Sequence, residues 1–211
     1  MKSIKGLAEI KCPNGCEEFE SEFWSLVAAD SAPELKDAVL GGELNLVCCP
    51  KCNHYFYYEN NLIYLDPALN LLVFVFSEKE KNNQSSLKEK MHHDFEILKK
   101  SLSKEMNING EPVYVFGLAA LKELLEKDSV LAAESEVVAA SSAVAGYKII
   151  TLRPDYARAN NYPMYVPTKN SKEAADLYSA AEDVLAKGLN SKLLKKFAED
   201  IKKGKTEPLF L

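Results

Sequence analysis

Two short cysteine-proline turns constrain this chain more than any other feature. Cys12-Pro13-Asn14-Gly15-Cys16 and Cys49-Pro50-Lys51-Cys52 each hold two thiols a few residues apart on a segment bent by proline. Backbone amides at the tip of such a turn point at the sulfurs, stabilise thiolates and lower their pKa. Two such turns together offer four sulfurs, the closed donor set of tetrahedral zinc at about 2.3 Å per bond. The sequence therefore predicts a Zn2+ site on Cys12, Cys16, Cys49 and Cys52, made by two distant loops that converge. Four buried thiols without metal fit paired Cys-Pro turns poorly, whereas iron accepts the same S4 geometry and stays open beside zinc.

The two turns differ in spacing, with three intervening residues in the first and two in the second. Gly15 relieves the extra residue, since glycine tolerates positive φ. Cys48 adjoins Cys49, and neighbours on an extended segment point to opposite faces. It is expected to be a small core residue, the other reading being a fifth, exchangeable ligand. His54, two residues past Cys52, is expected on a strand face rather than as a donor to a ligand sulfur.

Nothing in the first residues resembles an export signal, because charge and cysteine interrupt any apolar run. The most apolar stretch, Leu71–Phe76, is 6 residues long, where a membrane span needs about 20. A cytoplasmic protein without a membrane span is the expectation, and in a reducing compartment clustered cysteines favour metal or redox chemistry over disulfides. Charge argues against nucleic acid. Residues 1–80 hold 6 lysines and no arginine against 13 carboxylates, a net −7, while residues 81–211 come to +2. Phosphate recognition needs concentrated positive charge, and the cysteine-bearing half has the opposite sign. The aromatic run Tyr55-Phe56-Tyr57-Tyr58 is accordingly expected to send alternate rings into a core rather than to stack bases.

Periodicity predicts an α+β chain, with an N-terminal antiparallel β zinc-ribbon-like domain and then a mostly helical region holding one or two short strands. Three regions are expected: a ribbon-like part over 1–80, a helix-strand-helix remainder over 81–128, and a mainly helical region over 129–211. Strands are predicted at 17–27, 43–48, 54–58, 62–65 and 71–76, from alternation or apolar runs. A helix is predicted over 33–40, with Ser31 and Glu34 at capping-box spacing and Gly41-Gly42 as its end. Residues 79–86 read as a linker. Helices follow at 87–106, 118–126, 171–187 and 191–203, and short strands at 113–116 and 148–152. Residues 130–146, rich in Ala, Ser and Val, read either as a buried helix or as a mobile connection. Residues 153–170, with three prolines, read as a loop.

The order of these features resembles the CpXC family. It runs from the Cys12 turn through the aromatic and acidic strand of Phe19 to Trp24, the Pro33-Glu34-Leu35-Lys36 helix start and Cys49-Pro50-Lys51-Cys52. The likeness continues through Tyr64-Leu65-Asp66-Pro67, Val113-Tyr114-Val115-Phe116-Gly117-Leu118 and Leu121-Lys122-Glu123, and covers roughly residues 8–128. The resemblance implies zinc binding by the paired Cys-Pro motifs, which in this chain are Cys12, Cys16, Cys49 and Cys52. The family is functionally uncharacterised, so the resemblance implies no activity.

Catalytic motifs are missing. A catalytic zinc keeps an open position and uses His or carboxylate ligands, while four sulfurs fill the shell. The chain has 3 histidines, with no His-x-x-Glu-His pattern, nucleophile elbow or P-loop. His92 and His93 are neighbours on a helix, diverge by about 100°, and are expected to be exposed. The expectation is a non-enzymatic, structural zinc protein with a protein partner and no catalytic residues. The alternative is a thiol redox or metal-responsive protein working through Cys48, Cys49 and Cys52.

Overall fold

Leu71–Phe76 is buried at every position, and a strand covered on both faces is what a continuous apolar run predicts. The computed structural model describes residues 2–83, 85–87, 89, 91–93, 95, 110–205 and 207–211. They divide into two units, residues 1–125 and residues 126–211.

The first unit is built on a mixed sheet. Among the described residues it has five strands in the order β1 (Ile4–Ile10), β2 (Phe19–Ala28), β5 (Leu62–Asp66), β6 (Leu71–Phe76) and β7 (Val113–Phe116). β1 and β2 form an antiparallel hairpin, and β5 and β6 another. Two parallel pairings, β2 with β5 and β6 with β7, join and extend these hairpins, an addition to the antiparallel pattern read from the sequence. The helix α1 (Pro33–Gly41) lies between β2 and β5 in the chain. One face of the sheet, with Val27, Tyr64, Val73 and Val75, packs on Leu35 and Val39 of α1 and on Leu121 and Leu125. The other face, with Leu65, Leu72, Phe74 and Phe76, packs on Phe95, Leu87 and Met91. The described residues among 85–95 are helical, and the rest of the helix expected over 87–106 lies outside the described residues.

Two local expectations change. Ser31 does not cap α1. Ala32 is the N-cap with no side-chain bond, Pro33 occupies the first turn, and Ser31 Oγ donates to the Ala28 carbonyl instead. Gly42 does end the helix, at φ 71°. The linker expected over 79–86 begins with 3-10 turns over Glu78–Asn83.

A separate two-stranded ribbon, β3 (Leu46–Cys48) with β4 (Tyr55–Tyr57), is inserted between α1 and β5. It stands against the β1–β2 hairpin through rings. Phe56 meets Phe19 edge-on at 6.4 Å, and Tyr58 meets Phe23 at 5.0 Å. Phe23 in turn covers Gly6, where a Cβ would come within 2.6 Å of the ring. Asn45 fixes the ribbon's start. Held at φ 58°, it accepts at its side-chain carbonyl from the Trp24 amide at 2.7 Å and donates its side-chain amide to the Trp24 carbonyl at 3.0 Å. A side chain thus does the pairing a strand would do.

The second unit begins within α2 (Leu118–Val144), a helix of 27 residues that runs on through the segment left open between helix and connection. Its buried Ser135 and Ser142 donate to the Leu131 and Val138 carbonyls, which satisfies the hydroxyls without water. The loop expected over 153–170 is instead a helix, α3 (Pro154–Asn160), and a strand, β9 (Tyr165–Thr168), paired with β8 (Lys148–Thr151). Pro154 sits in the first turn of α3, where its missing N–H costs nothing. The chain closes with α4 (Ala174–Ala186) and α5 (Lys192–Lys202), the latter capped by Ser191, whose Oγ accepts from the Leu194 amide. Leu193, Leu194, Phe197 and Ile201 form its buried face. Arg158 reaches the buried Asp128 at 2.7 Å.

Candidate metal centre

Both cysteine turns are the tips of hairpins. The first joins β1 to β2, and the second joins β3 to β4. In the first, the Gly15 amide donates to the Cys12 carbonyl at 3.0 Å, with Gly15 at φ 79° and nothing within 4 Å of a Cβ there. The longer spacing closes through the left-handed conformation that glycine permits. In the second, the Asn53 amide returns to the Cys49 carbonyl at 2.9 Å, and the Cys49 amide donates to the His54 carbonyl at 2.9 Å. Asn53 takes the left-handed position, at φ 55°.

The two tips meet. Cys12, Cys16, Cys49 and Cys52 bring their sulfurs within 4.8 Å of one another. Cys12 and Cys52, from different turns, are 3.7 Å apart. A tetrahedron with metal–sulfur bonds of about 2.3 Å has sulfur–sulfur edges of about 3.8 Å. The donor set and its spacing therefore fit a metal ion. Cys12 and Cys49 are buried, Cys16 is half-buried and Cys52 is exposed, so the cluster opens to solvent on one side only. Two further contacts tie turn to turn. Asn14 donates its side-chain amide to Cys52 Sγ at 3.6 Å, and Lys51 pairs with Glu17 at 3.4 Å.

The thiols do not titrate alike. Burial opposes ionisation of Cys49, but the amides of Cys52 and Lys51 and the thiols of Cys12 and Cys52 outweigh it and bring the group down to about 7. Cys16 is pushed up to about 12, first by its hydrogen bond to Cys52 and then by burial. Burial also raises Cys12, against the amide of Asn14. Cys49 is thus more readily ionised than Cys12 or Cys16, and a divalent cation binding at protonated thiols would release protons.

Cys48 stands apart. It is exposed on the outer face of β3, opposite Tyr55, and its Sγ is 3.9 Å from the Cys49 carbonyl. The expected core position is incorrect, because β3 lies in a two-stranded ribbon with one face open. Leu46, Tyr55 and Tyr57 share that open face and are exposed as well. Alternation holds in the aromatic run, with Phe56 and Tyr58 turned to the hairpin. His54 is exposed and stacks on Phe56 at 6.2 Å, and His92 and His93 are exposed.

Sequence reasoning missed Asn14 and Asn45. Asn45 lies just before the second cysteine strand, and an asparagine between two apolar residues at a strand start is the one signal that could have marked it.

Residues 10–140 match the sequence model of the family described as CpXC protein. The chain belongs to the CpXC family. The match takes in both cysteine turns, the ribbon, the whole five-stranded sheet except most of β1, and the first 23 residues of α2. No curated protein and no solved structure matches the chain. Among the described residues of this CpXC protein, no helix is long and apolar enough to cross a membrane.

Proposed function

We propose that Cys12, Cys16, Cys49 and Cys52 hold one zinc ion as a closed structural centre, and that the protein is a non-enzymatic, cytoplasmic interaction module. The supporting observation is the convergence of four sulfurs with a 3.7 Å edge between turns. Zinc suits it because the set is all thiolate and leaves no position for substrate or water. The ion would lock the two hairpin tips together where few apolar side chains do so, which couples binding to folding. The open ribbon face of Leu46, Tyr55 and Tyr57 supports a protein partner, since exposed rings next to apolar side chains are typical of such contacts. Elemental analysis of the purified protein tests the metal: about one zinc per chain is expected, and iron or no metal in a folded protein overturns the reading. Replacing Tyr55 and Tyr57 by serine should abolish partner capture while leaving the metal content unchanged.

The exposure of Cys52 and Cys48 favours a second reading, a thiol-responsive centre. Two thiolates would give two electrons to an added peroxide and form a disulfide, with release of the ion. Zinc release on peroxide titration, reversed by a dithiol, would support it. Retention of zinc at excess peroxide would dismiss it.

A further inference from the structure

β1 is the first strand of its sheet, and one of its edges is open. It pairs with β2 over Ile4–Ile10 and, among the described residues, with no strand on its other side. A seven-residue edge of unpaired N–H and C=O groups is a template for another strand. The side chains say which strand it suits. Alternation places Lys5, Leu7 and Glu9 on one exposed face, with Leu7 61% exposed. A cation and an anion thus sit at equal distances on either side of an apolar centre, an arrangement that complements itself when reversed.

We propose that β1 pairs antiparallel with β1 of a second copy of this chain, with Leu7 at the two-fold axis. In this register Lys5 faces the partner's Glu9, and Glu9 faces the partner's Lys5. Gly6 faces the partner's Ala8, and Ile4 faces the partner's Ile10. The two sheets then run on as one.

A second observation points the same way. Within the chain, Glu9 lies directly across from Glu20 of β2, and like charges opposed on a sheet repel. Among the described residues no cation is recorded on Glu9, whereas Lys5 is set in place, 2.6 Å from Glu22 and 5.0 Å over the Trp24 ring. The proposed pairing brings a lysine to each Glu9 from outside the chain. A single strand pair is smaller than a standard interface, so the dimer forms at high protein concentration and dissociates on dilution.

Sedimentation velocity on the full metal-bound chain, over a concentration series, tests this. The wild type should pass from monomer to dimer. Glu9→Lys gives Glu20 a cation within the chain, so the fold is kept, but it sets lysine against lysine between copies. Dimerisation should weaken by about tenfold, two cross-strand pairs being turned from attraction to repulsion. The triple variant Lys5→Glu/Glu9→Lys/Glu22→Lys, which keeps an opposite charge beside residue 5 within the chain, should restore it. Amides of residues 4–10 should exchange more slowly as the wild-type concentration rises. A monomer at every concentration overturns the proposal. So does a dimer that ignores Glu9→Lys and leaves exchange in residues 4–10 independent of concentration.

Discussion

The cysteine ribbon and the second unit solve the same problem with different means. Around the four sulfurs, the buried apolar side chains are few, chiefly Ile10 and Val47, and Phe19 and Phe56 meet edge to face across the gap between ribbon and hairpin. In residues 126–211, Leu152, Val166, Leu177, Leu194 and Phe197 are all fully buried, and buried polar groups such as Asp128 and Ser135 have partners within the unit. One region gathers donor atoms that could hold a cation, the other removes apolar surface from water. The difference teaches where a cation would matter most: in a thin region with little apolar burial of its own.

The sharpest way to break this contrast is to remove the donors. Cys49→Ser, or treatment with a strong chelator, should unfold the ribbon and free the β1–β2 tip, while residues 126–211 keep their structure. Zinc in such sites contributes about 10 kcal/mol or more to folding, so hydrogen exchange over residues 44–58 should approach that of an unfolded chain. Exchange that stays slow there after metal loss would erase the distinction between the two regions. The reciprocal change is Phe197→Ala. Phe197 is fully buried and meets Tyr162 edge-on at 5.3 Å, and its truncation should cost about 3–5 kcal/mol. Denaturant unfolding should show the loss with the metal content unchanged.

Asn45→Ala sharpens the contrast within the first unit. It removes the side-chain pairing to Trp24 and leaves the Trp24 amide without its acceptor, at a cost of about 1–3 kcal/mol. Metal affinity should fall with it, because the second turn loses its anchor to the strand that carries the first. An unchanged affinity, measured by competition with a chelating dye, would show that the two turns are positioned by the cation alone. The smallest effect belongs to Asp176. Its carboxylate accepts from Thr168 Oγ1 at 2.6 Å and from the amides of Lys169, Asn170 and Ser171. The Thr168 hydroxyl, followed by the Ser171 amide, holds it down at about 2. A depressed carboxyl stabilises the fold fully above its ordinary value of 3.8 and loses that contribution as the pH falls through about 2. The wild type should therefore weaken across that window, and Asp176→Asn should flatten this part of the profile. Thermal unfolding at a series of acid pH values checks both.

The parts of the fold that were legible had a strong period or a chemical signature. The Cys-Pro turns announced two loops rich in thiols, the apolar run Leu71–Phe76 a strand, and residues 191–203 a helix. The parts that were not legible had mixed signals. In α2 the buried stripe is Leu131, Ser135, Val138 and Ser142, spaced four, three and four, and two of its members are hydroxyls that bond back to the helix itself. Val130, Val137 and Val144 lie exposed on the same helix, so polarity did not separate its faces. In 153–170 three prolines argued for a loop, yet Pro154 starts a helix and Pro167 sits in a two-stranded ladder opposite Ile149. Cys48 was misplaced because alternation gives opposite faces but does not say which of them is covered.

Trp24 is the chain's one tryptophan. Its backbone is tied to Asn45 at the root of the cysteine ribbon, and the Lys5 ammonium rests over its ring. The protein therefore carries its own optical reporter at the joint between hairpin and ribbon. Loading and stripping of the centre, and closure of a neighbouring edge over Lys5, should both be readable as changes in indole emission without attaching a label.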